Sequence, residues 1–226
     1  MSAQDEQFKQ AAALAAVRAE VRSGMILGLG TGSTARYVIE ECGRLLREEG
    51  YVLSGVPTSE ATARLARERG IPLLDLSVEP DLDLDGADEV DPQHDLIKGR
   101  GGAITREKCL AVASRRFVIV VDASKLVQRL RRPVPIEVLP FALPLVLRLI
   151  AARLPGSDPV QRMAAGAPLL SDNGNALLDL ALPEHVAPAA AAATLAEMPG
   201  VIEHGFFLGM RPTVYLAGAD GVHQLP

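Results

Sequence analysis

The chain predicts an α/β fold: a Rossmann-like parallel sheet with helices on both faces, plus a small inserted α+β lid domain of ferredoxin-like type. Three observations carry this expectation. Strands and helices alternate through the first half, as a parallel sheet with helical crossovers requires. Two glycine turns and Asp85 fall where such strands end, the position at which these sheets bind ligands. Beyond Arg131-Arg132-Pro133 the order becomes strand, helix, two strands, helix, strand, which is the split βαβ unit.

Residues 25–29 read as a short buried strand. Ala35, Val38, Ile39, Cys42, Leu45 and Leu46 then recur at helical spacing. A strand at 51–56, a helix at 59–69 and a strand at 71–76 follow, then the acidic strand Asp81-Leu-Asp83-Leu-Asp85. Residues 105–114 read as a helix and 117–121 as a fully buried apolar strand. In the second part, 135–139 is a strand and 141–154 a helix whose Pro144 is tolerable near its first turn. Residues 169–171 and 176–180 flank Asp172-Asn173-Gly174-Asn175, a hairpin signal because Asn-Gly accepts positive φ. A helix at 187–198 stops at Pro199-Gly200, and 201–208 is a strand. Residues 213–217 return to the main sheet. The expected division is 1–131 with 209–226 as the Rossmann-like catalytic domain, and 132–208 as the lid domain.

Composition narrows the function. Of 226 residues 48% are hydrophobic and 23% charged, with a formal net charge of -5. That balance describes a globular protein and argues against nucleic acid, whose binding rests on basic patches. Residues 1–22 are Ala-rich, with charges throughout and no apolar signal-peptide core. The most apolar run, 138–147, contains Pro140 and Pro144 and is too short to span a bilayer. A cytoplasmic protein without membrane or nucleic-acid partners is expected. The 2 cysteines, Cys42 and Cys109, fit no zinc spacing, and the 4 histidines form no ligand pair and read as surface or interface residues.

The turn Gly28-Leu-Gly30-Thr31-Gly32-Ser33-Thr34 opens a helix, where backbone N–H groups and the dipole favour phosphate. It is not a dinucleotide fingerprint, since Ser33 replaces the third glycine, and no lysine makes it a Walker A loop. Its bland reading is a tight turn with Ser or Thr capping the helix. Asp81, Asp83, Asp85 and Gly86 mimic an EF-hand loop, but Pro92 occupies the position of the bidentate Glu, so calcium is rejected. A solvated acidic turn accounts for Asp81, Glu89 and Asp91. It accounts poorly for Asp85 and Asp88, between which Gly86-Ala87 leaves room for a ligand. Lys98-Gly99-Arg100-Gly101-Gly102 is an anion-binding type of turn. Glu107 follows it, and Lys125 lies beyond another strand end as a candidate phosphate partner. Acids, a base and a cation for an oxyanion, with no metal or cofactor, point to proton transfer on a small phosphorylated molecule.

At these residues the chain resembles ribose-5-phosphate isomerase of the A type. The matching segments are Gly30-Thr-Gly-Ser-Thr34, Pro57-Thr-Ser-Glu-Ala61, Asp85-Gly-Ala-Asp-Glu89, Ile97-Lys98-Gly99, Thr105-Arg-Glu-Lys108, Asp122-Ala-Ser-Lys125 and Asp172-Asn-Gly-Asn175. The resemblance implies a homodimer or homotetramer acting on a sugar phosphate. It makes Glu107 the catalytic base, with Asp85, Asp88 and Lys98 as further catalytic groups. Thr31, Gly32, Ser33, Thr34, Asp85, Gly86, Ala87, Asp88, Lys98, Gly99, Arg100, Gly101 and Lys125 become substrate contacts. Arg100 departs from the glycine of many relatives, so its side chain either points outward or adds a phosphate or interface contact. A phosphate-holding lysine on the N-terminal helix is also implied, with Lys9 and Gln10 both open as its position.

The implied reaction interconverts ribose 5-phosphate and ribulose 5-phosphate through a cis-enediolate. A carboxylate with an ordinary pKa of about 4.3 is a weak base for that step, so Glu107 is expected to be partly desolvated. Lys98 would stabilise the oxyanion, a contribution of about 3–4 kcal/mol for such a donor. Two other classes of reading remain. A non-catalytic sugar-phosphate sensor would be expected to carry a helix-turn-helix and a basic surface. An amino-sugar-phosphate isomerase or a CoA transferase is the other, and the transferase would need a glutamate that forms a thioester.

Overall fold

Strand Phe117–Asp122 is buried at every position, as an uninterrupted Phe-Val-Ile-Val-Val run demands of a central strand. In the computed structural model, which describes residues 3–225, it lies inside a 6-stranded sheet. The order across that sheet is Gly221–Leu225, Thr213–Gly218, Phe117–Asp122, Leu82–Asp85, Ile26–Leu29, Ser54–Pro57. All neighbours are parallel except the edge strand Gly221–Leu225. The α/β Rossmann-like expectation therefore holds. Helix Ala3–Glu20 lies against the strands Phe117–Asp122 and Thr213–Gly218, burying Ala12, Ala13, Ala16 and Val17. Helix Ser33–Glu48 buries Ala35, Val38, Ile39, Cys42 and Leu45, the face its spacing predicts. Burial, with a smaller contribution from the Glu41 charge, pushes the Cys42 thiol up to about 12.

The second sheet has 4 strands in the order Val201–His204, Val134–Val138, Ala176–Ala181, Asp158–Gln161, all antiparallel. With helices Leu143–Arg153 and Pro188–Ala196 this is the βαββαβ arrangement. Its core gathers Ile136, Val138, Val146, Ile150, Leu178, Leu180 and Leu195.

Four local expectations are corrected. Residues 71–76 supply only a bridge from Leu73 to Gly55, because Pro72 has no N–H to donate to a ladder. The second strand of the βαββαβ unit is Asp158–Gln161 rather than 169–171, which makes a single Leu170–Ala176 bridge. Pro159 disguises that strand in the sequence, yet proline is admissible on this sheet edge. The strand expected at 201–208 breaks at Gly205. Its end, Phe206–Phe207, joins Leu96–Ile97 and Glu89–Val90 in a separate 3-stranded sheet. Strand Gly221–Leu225 was not expected and forms a hairpin through Gly221, whose φ is 113°.

The chain groups into two compact units. One contains Met1–Ala87, Arg106–Leu126 and Met210–Pro226; the other contains Asp88–Thr105 and Val127–Gly209. The sequence division at 131 and 208 differs, because pairing of Phe206–Phe207 with Leu96–Ile97 draws residues 88–105 into the second unit.

Candidate active site

The structure gathers the sequence-predicted residues into two sets, one in each compact unit. In the first, strand Ile26–Leu29 ends in a turn whose geometry is dictated by a neighbouring carboxylate. Asp85, at the end of Leu82–Asp85 and only 1% exposed, accepts hydrogen bonds from Thr31 N at 3.1 Å and Gly86 N at 2.7 Å. A Cβ on Gly30 would lie 2.0 Å from Asp85 Oδ1, so only glycine lets the two strand ends approach. Gly32, with φ 123°, is the N-cap of Ser33–Glu48 and no side chain caps that helix. Ser33 and Thr34 thus do not cap it, and their hydroxyls stand in its first turn, Ser33 exposed and Thr34 half-buried. Backbone N–H groups and the positive helix end are available there to an anion.

The Thr31 hydroxyl is engaged inside the protein. It donates to Ser59 Oγ at 2.8 Å and shares hydrogen bonds with Thr58 Oγ1 at 2.7 Å and Thr62 Oγ1 at 3.1 Å. Thr62 Oγ1 in turn donates to Gly30 O at 2.8 Å. Thr58, Ser59 and Thr62 therefore support the turn, a role not assigned from sequence, although Thr-Ser-Glu-Ala stood among the matching segments. Glu107, in the first turn of Ile104–Ala113, is 2% exposed. Lys125 ends a short 3-10 helix, Ala123–Lys125, which Asp122 caps by accepting from Ser124 N at 3.0 Å. Of the two positions left open on the first helix, Lys9 is buried, with its ammonium on Glu6 at 2.8 Å, whereas Gln10 is exposed.

The second set lies in the second unit. Lys98 is 2% exposed, with Nζ 5.4 Å from the centre of the Phe207 ring, a cation–π distance. Lys98 N donates to Gly205 O at 2.9 Å, and a Cβ on Gly205 would meet Lys98 O at 2.3 Å. Gly99, with φ 102°, begins a turn closed by Gly102 N donating to Gly99 O at 2.9 Å. Asp88 Oδ2 accepts from Arg100 N at 3.0 Å, which ties the acidic segment to the glycine loop. The side of Arg100 and Gly101 faces solvent. Asp88 and Arg100 both line a cavity of about 260 Å³.

Several buried polar side chains escaped the sequence. Glu89, read as part of a solvated turn, is buried and accepts from Arg131 N at 2.7 Å and Arg132 N at 3.1 Å. His204, read as a surface or interface residue, is buried beside Phe206. Glu137 is wholly buried and accepts from Thr105 Oγ1 (2.7 Å), Ser171 Oγ (2.7 Å), Asn173 Nδ2 (3.0 Å) and Asn175 Nδ2 (2.8 Å). Burial alone would raise its pKa, but these donors together hold the carboxyl below the ordinary range. Asp172-Asn173-Gly174-Asn175, read from sequence as a hairpin turn and as a matching segment with no stated role, thus supplies Asn173 and Asn175 as donors to a buried carboxylate.

The family described as ribose 5-phosphate isomerase A (phosphoriboisomerase A) matches residues 54–221. Ribose-5-phosphate isomerase A of Roseiflexus sp. (strain RS-1) is 48% identical over 226 residues, covering 98% of this chain and 96% of that protein. The ribose 5-phosphate isomerase A structure from Methanocaldococcus jannaschii superposes with a TM-score of 0.91 at 37% identity, covering 98% of this chain and 99% of its own. A D-ribose-5-phosphate isomerase solved in complex with phospho-erythronic acid gives 0.92 at 36% identity, covering 100% and 99%.

Proposed function

The chain belongs to the ribose 5-phosphate isomerase A family and is an isomerase, and from that premise we propose that it interconverts D-ribose 5-phosphate and D-ribulose 5-phosphate through a cis-enediolate with Glu107 as the general base. The observation that carries the reading is the burial of Glu107 in the first turn of Ile104–Ala113, which removes the carboxylate from bulk water. In the proposed step Glu107 takes the C2 proton of the open-chain aldose, leaving its electron pair in the C1–C2 enediolate. The protonated Glu107 returns a proton to C1, and proton exchange between O1 and O2 completes the ketose.

The other groups receive roles by chemistry. Lys98 stabilises charge on the enediolate oxygens as a desolvated cation. Asp85 assists ring opening, and Asp88 holds a substrate hydroxyl or orients Lys98. The loop of Thr31, Gly32, Ser33 and Thr34 receives phosphate on its N–H groups and hydroxyls, with Lys125 as a cationic partner. Gly86, Ala87, Gly99, Arg100 and Gly101 supply the surrounding backbone. Phospho-erythronic acid, bound by the related isomerase, supports the reading: its planar carboxylate spreads charge over two oxygens as a cis-enediolate does. We also read the enzyme as a cytoplasmic homodimer or homotetramer, consistent with Phe141 standing 93% exposed; light scattering gives the mass that decides it.

The test follows conversion in D2O, with and without EDTA. EDTA-resistant turnover with deuterium entering C1 is the expected result, since an enediolate exchanges with solvent. Complete absence of deuterium at C1 even after many turnovers at equilibrium, when the Glu107 proton has had every chance to exchange, would count against the enediolate and for a hydride shift. Glu107→Gln is expected to lower kcat at least ~10²-fold with an unchanged circular dichroism spectrum; near-normal turnover removes Glu107 from the role.

A further inference from the structure

Behind the glycine loop stands a part-buried ion pair that none of the assigned roles uses. Arg162 follows strand Asp158–Gln161, and its side chain is 11% exposed. Asp179, on the neighbouring strand Ala176–Ala181, accepts from Arg162 Nε at 2.9 Å and from Nη2 at 2.7 Å. The remaining nitrogen, Nη1, donates to two successive carbonyls, Gly99 O at 3.1 Å and Arg100 O at 3.0 Å. The carbonyl of Gly99 and the N–H of Arg100 belong to one peptide group, and Asp88 Oδ2 takes that N–H at 3.0 Å. One peptide plane is therefore gripped at both poles, by a guanidinium at its oxygen and a carboxylate at its hydrogen.

We propose that Arg162, oriented by Asp179, is a positioning residue of the isomerase: it clamps the peptide between Gly99 and Arg100, and so sets both Lys98 and Asp88 in their working places. The inference rests on the roles proposed above for those two residues. The loop needs such a clamp. Gly99 and Gly102 have φ of 102° and 81°, and glycine-rich backbone has the most conformational freedom to lose on ordering. Neighbouring side chains crowd both glycines, since a Cβ on Gly99 would meet Ile104 at 2.3 Å and one on Gly102 would meet Leu177 at 3.0 Å, but they make no hydrogen bond to the peptide. Arginine suits the task because its planar fork serves a bidentate carboxylate and two further acceptors together, which an ammonium cannot. Charges alternate along the line from Asp179 through Arg162 and the peptide to Asp88. The cation on the carbonyl polarises the amide and strengthens its N–H as a donor to Asp88. The reach is long in sequence, with Arg162 lying 63 residues from Gly99, so no local pattern announces it.

The test combines kinetics with amide exchange on the full-length enzyme. Arg162→Met is expected to lower kcat roughly 10- to 100-fold through misplacement of the acting groups. KM should stay within about threefold, since the lost help belongs to the transition state. Millimolar guanidinium should restore part of kcat to Arg162→Ala and none to wild type. By exchange mass spectrometry the amides of 99–102 should exchange at least ~10-fold faster in Arg162→Met, with 117–122 unchanged, because local opening reports lost local contacts. Wild-type kcat and exchange in the variant would overturn the proposal. Acceleration spread equally over 117–122 would also overturn it, by showing a merely structural ion pair. Should the wild type fail to isomerise ribose 5-phosphate, the functional reading falls by itself, and exchange at 99–102 still decides whether the clamp exists.

Discussion

At the scale of single residues, two glycines beside the same acid do different jobs. Gly30 has no space for a side chain, because a Cβ would sit 2.0 Å from Asp85 Oδ1 and 2.2 Å from its Cγ. Gly86 meets only ordinary contacts, the nearest being Thr34 Cβ at 3.6 Å. Gly30→Ala is therefore expected to displace Asp85, cost about 1–3 kcal/mol of stability by overpacking, and lower kcat/KM at least tenfold. Gly86→Ala should unfold at nearly the wild-type temperature, and a rise in its KM would locate substrate beside that position. Thermal melts and initial rates on the two variants check both statements. A buried Gly30→Ala protein with normal activity would show that the turn relaxes more freely than its contacts allow.

At the scale of elements, the best-tied loop is the one around Glu137. Four side-chain donors from Thr105, Ser171, Asn173 and Asn175 converge on a carboxylate with no exposed surface. They bind the strand Val134–Val138 to the 171–175 turn and to the first turn of the helix that carries Glu107. Because the folded pKa lies below the unfolded value of about 4.3, the network contributes fully above that value and is lost as pH falls through the folded one. Glu137→Gln keeps the shape but mismatches one donor. It is expected to lose about 1–3 kcal/mol at pH 7, and the difference from wild type should shrink as urea melts are repeated toward pH 3. A constant difference across that range would mean that the ionised form is not what the donors stabilise.

For the whole molecule, the chain passes between its two compact units four times, at 87–88, 105–106, 126–127 and 209–210. The second unit is consequently not one continuous stretch. Phe206 and Phe207 pair with Ile97 and Leu96, and Ile97 belongs to the same core as Ile136 and Leu178. A fragment spanning 127–209 would lack that segment, open a strand edge and uncover large apolar side chains. It is expected not to fold cooperatively, as poor amide dispersion in its NMR spectrum would show. A well-dispersed spectrum would instead make 88–105 dispensable and favour the division at 131 read from sequence.

Periodicity and strand-end glycines sufficed for the α/β class, the central strands, the main helices and the return of 213–217 to the first sheet, because those signals are local. The side chains to which catalytic roles are proposed were legible for the same reason, as runs such as Asp85-Gly86-Ala87-Asp88 and Lys98-Gly99. Contacts between distant segments decided the rest. Pro159 hid an edge strand, Gly205 divided one apparent strand between two sheets, and Glu89 became a buried acceptor for two backbone amides. Arg162 and Glu137 are ordinary charged residues in the sequence. Only folding supplies the carbonyls of Gly99 and Arg100 to one and the 171–175 loop to the other, since a buried charge acquires meaning from partners dozens of residues away.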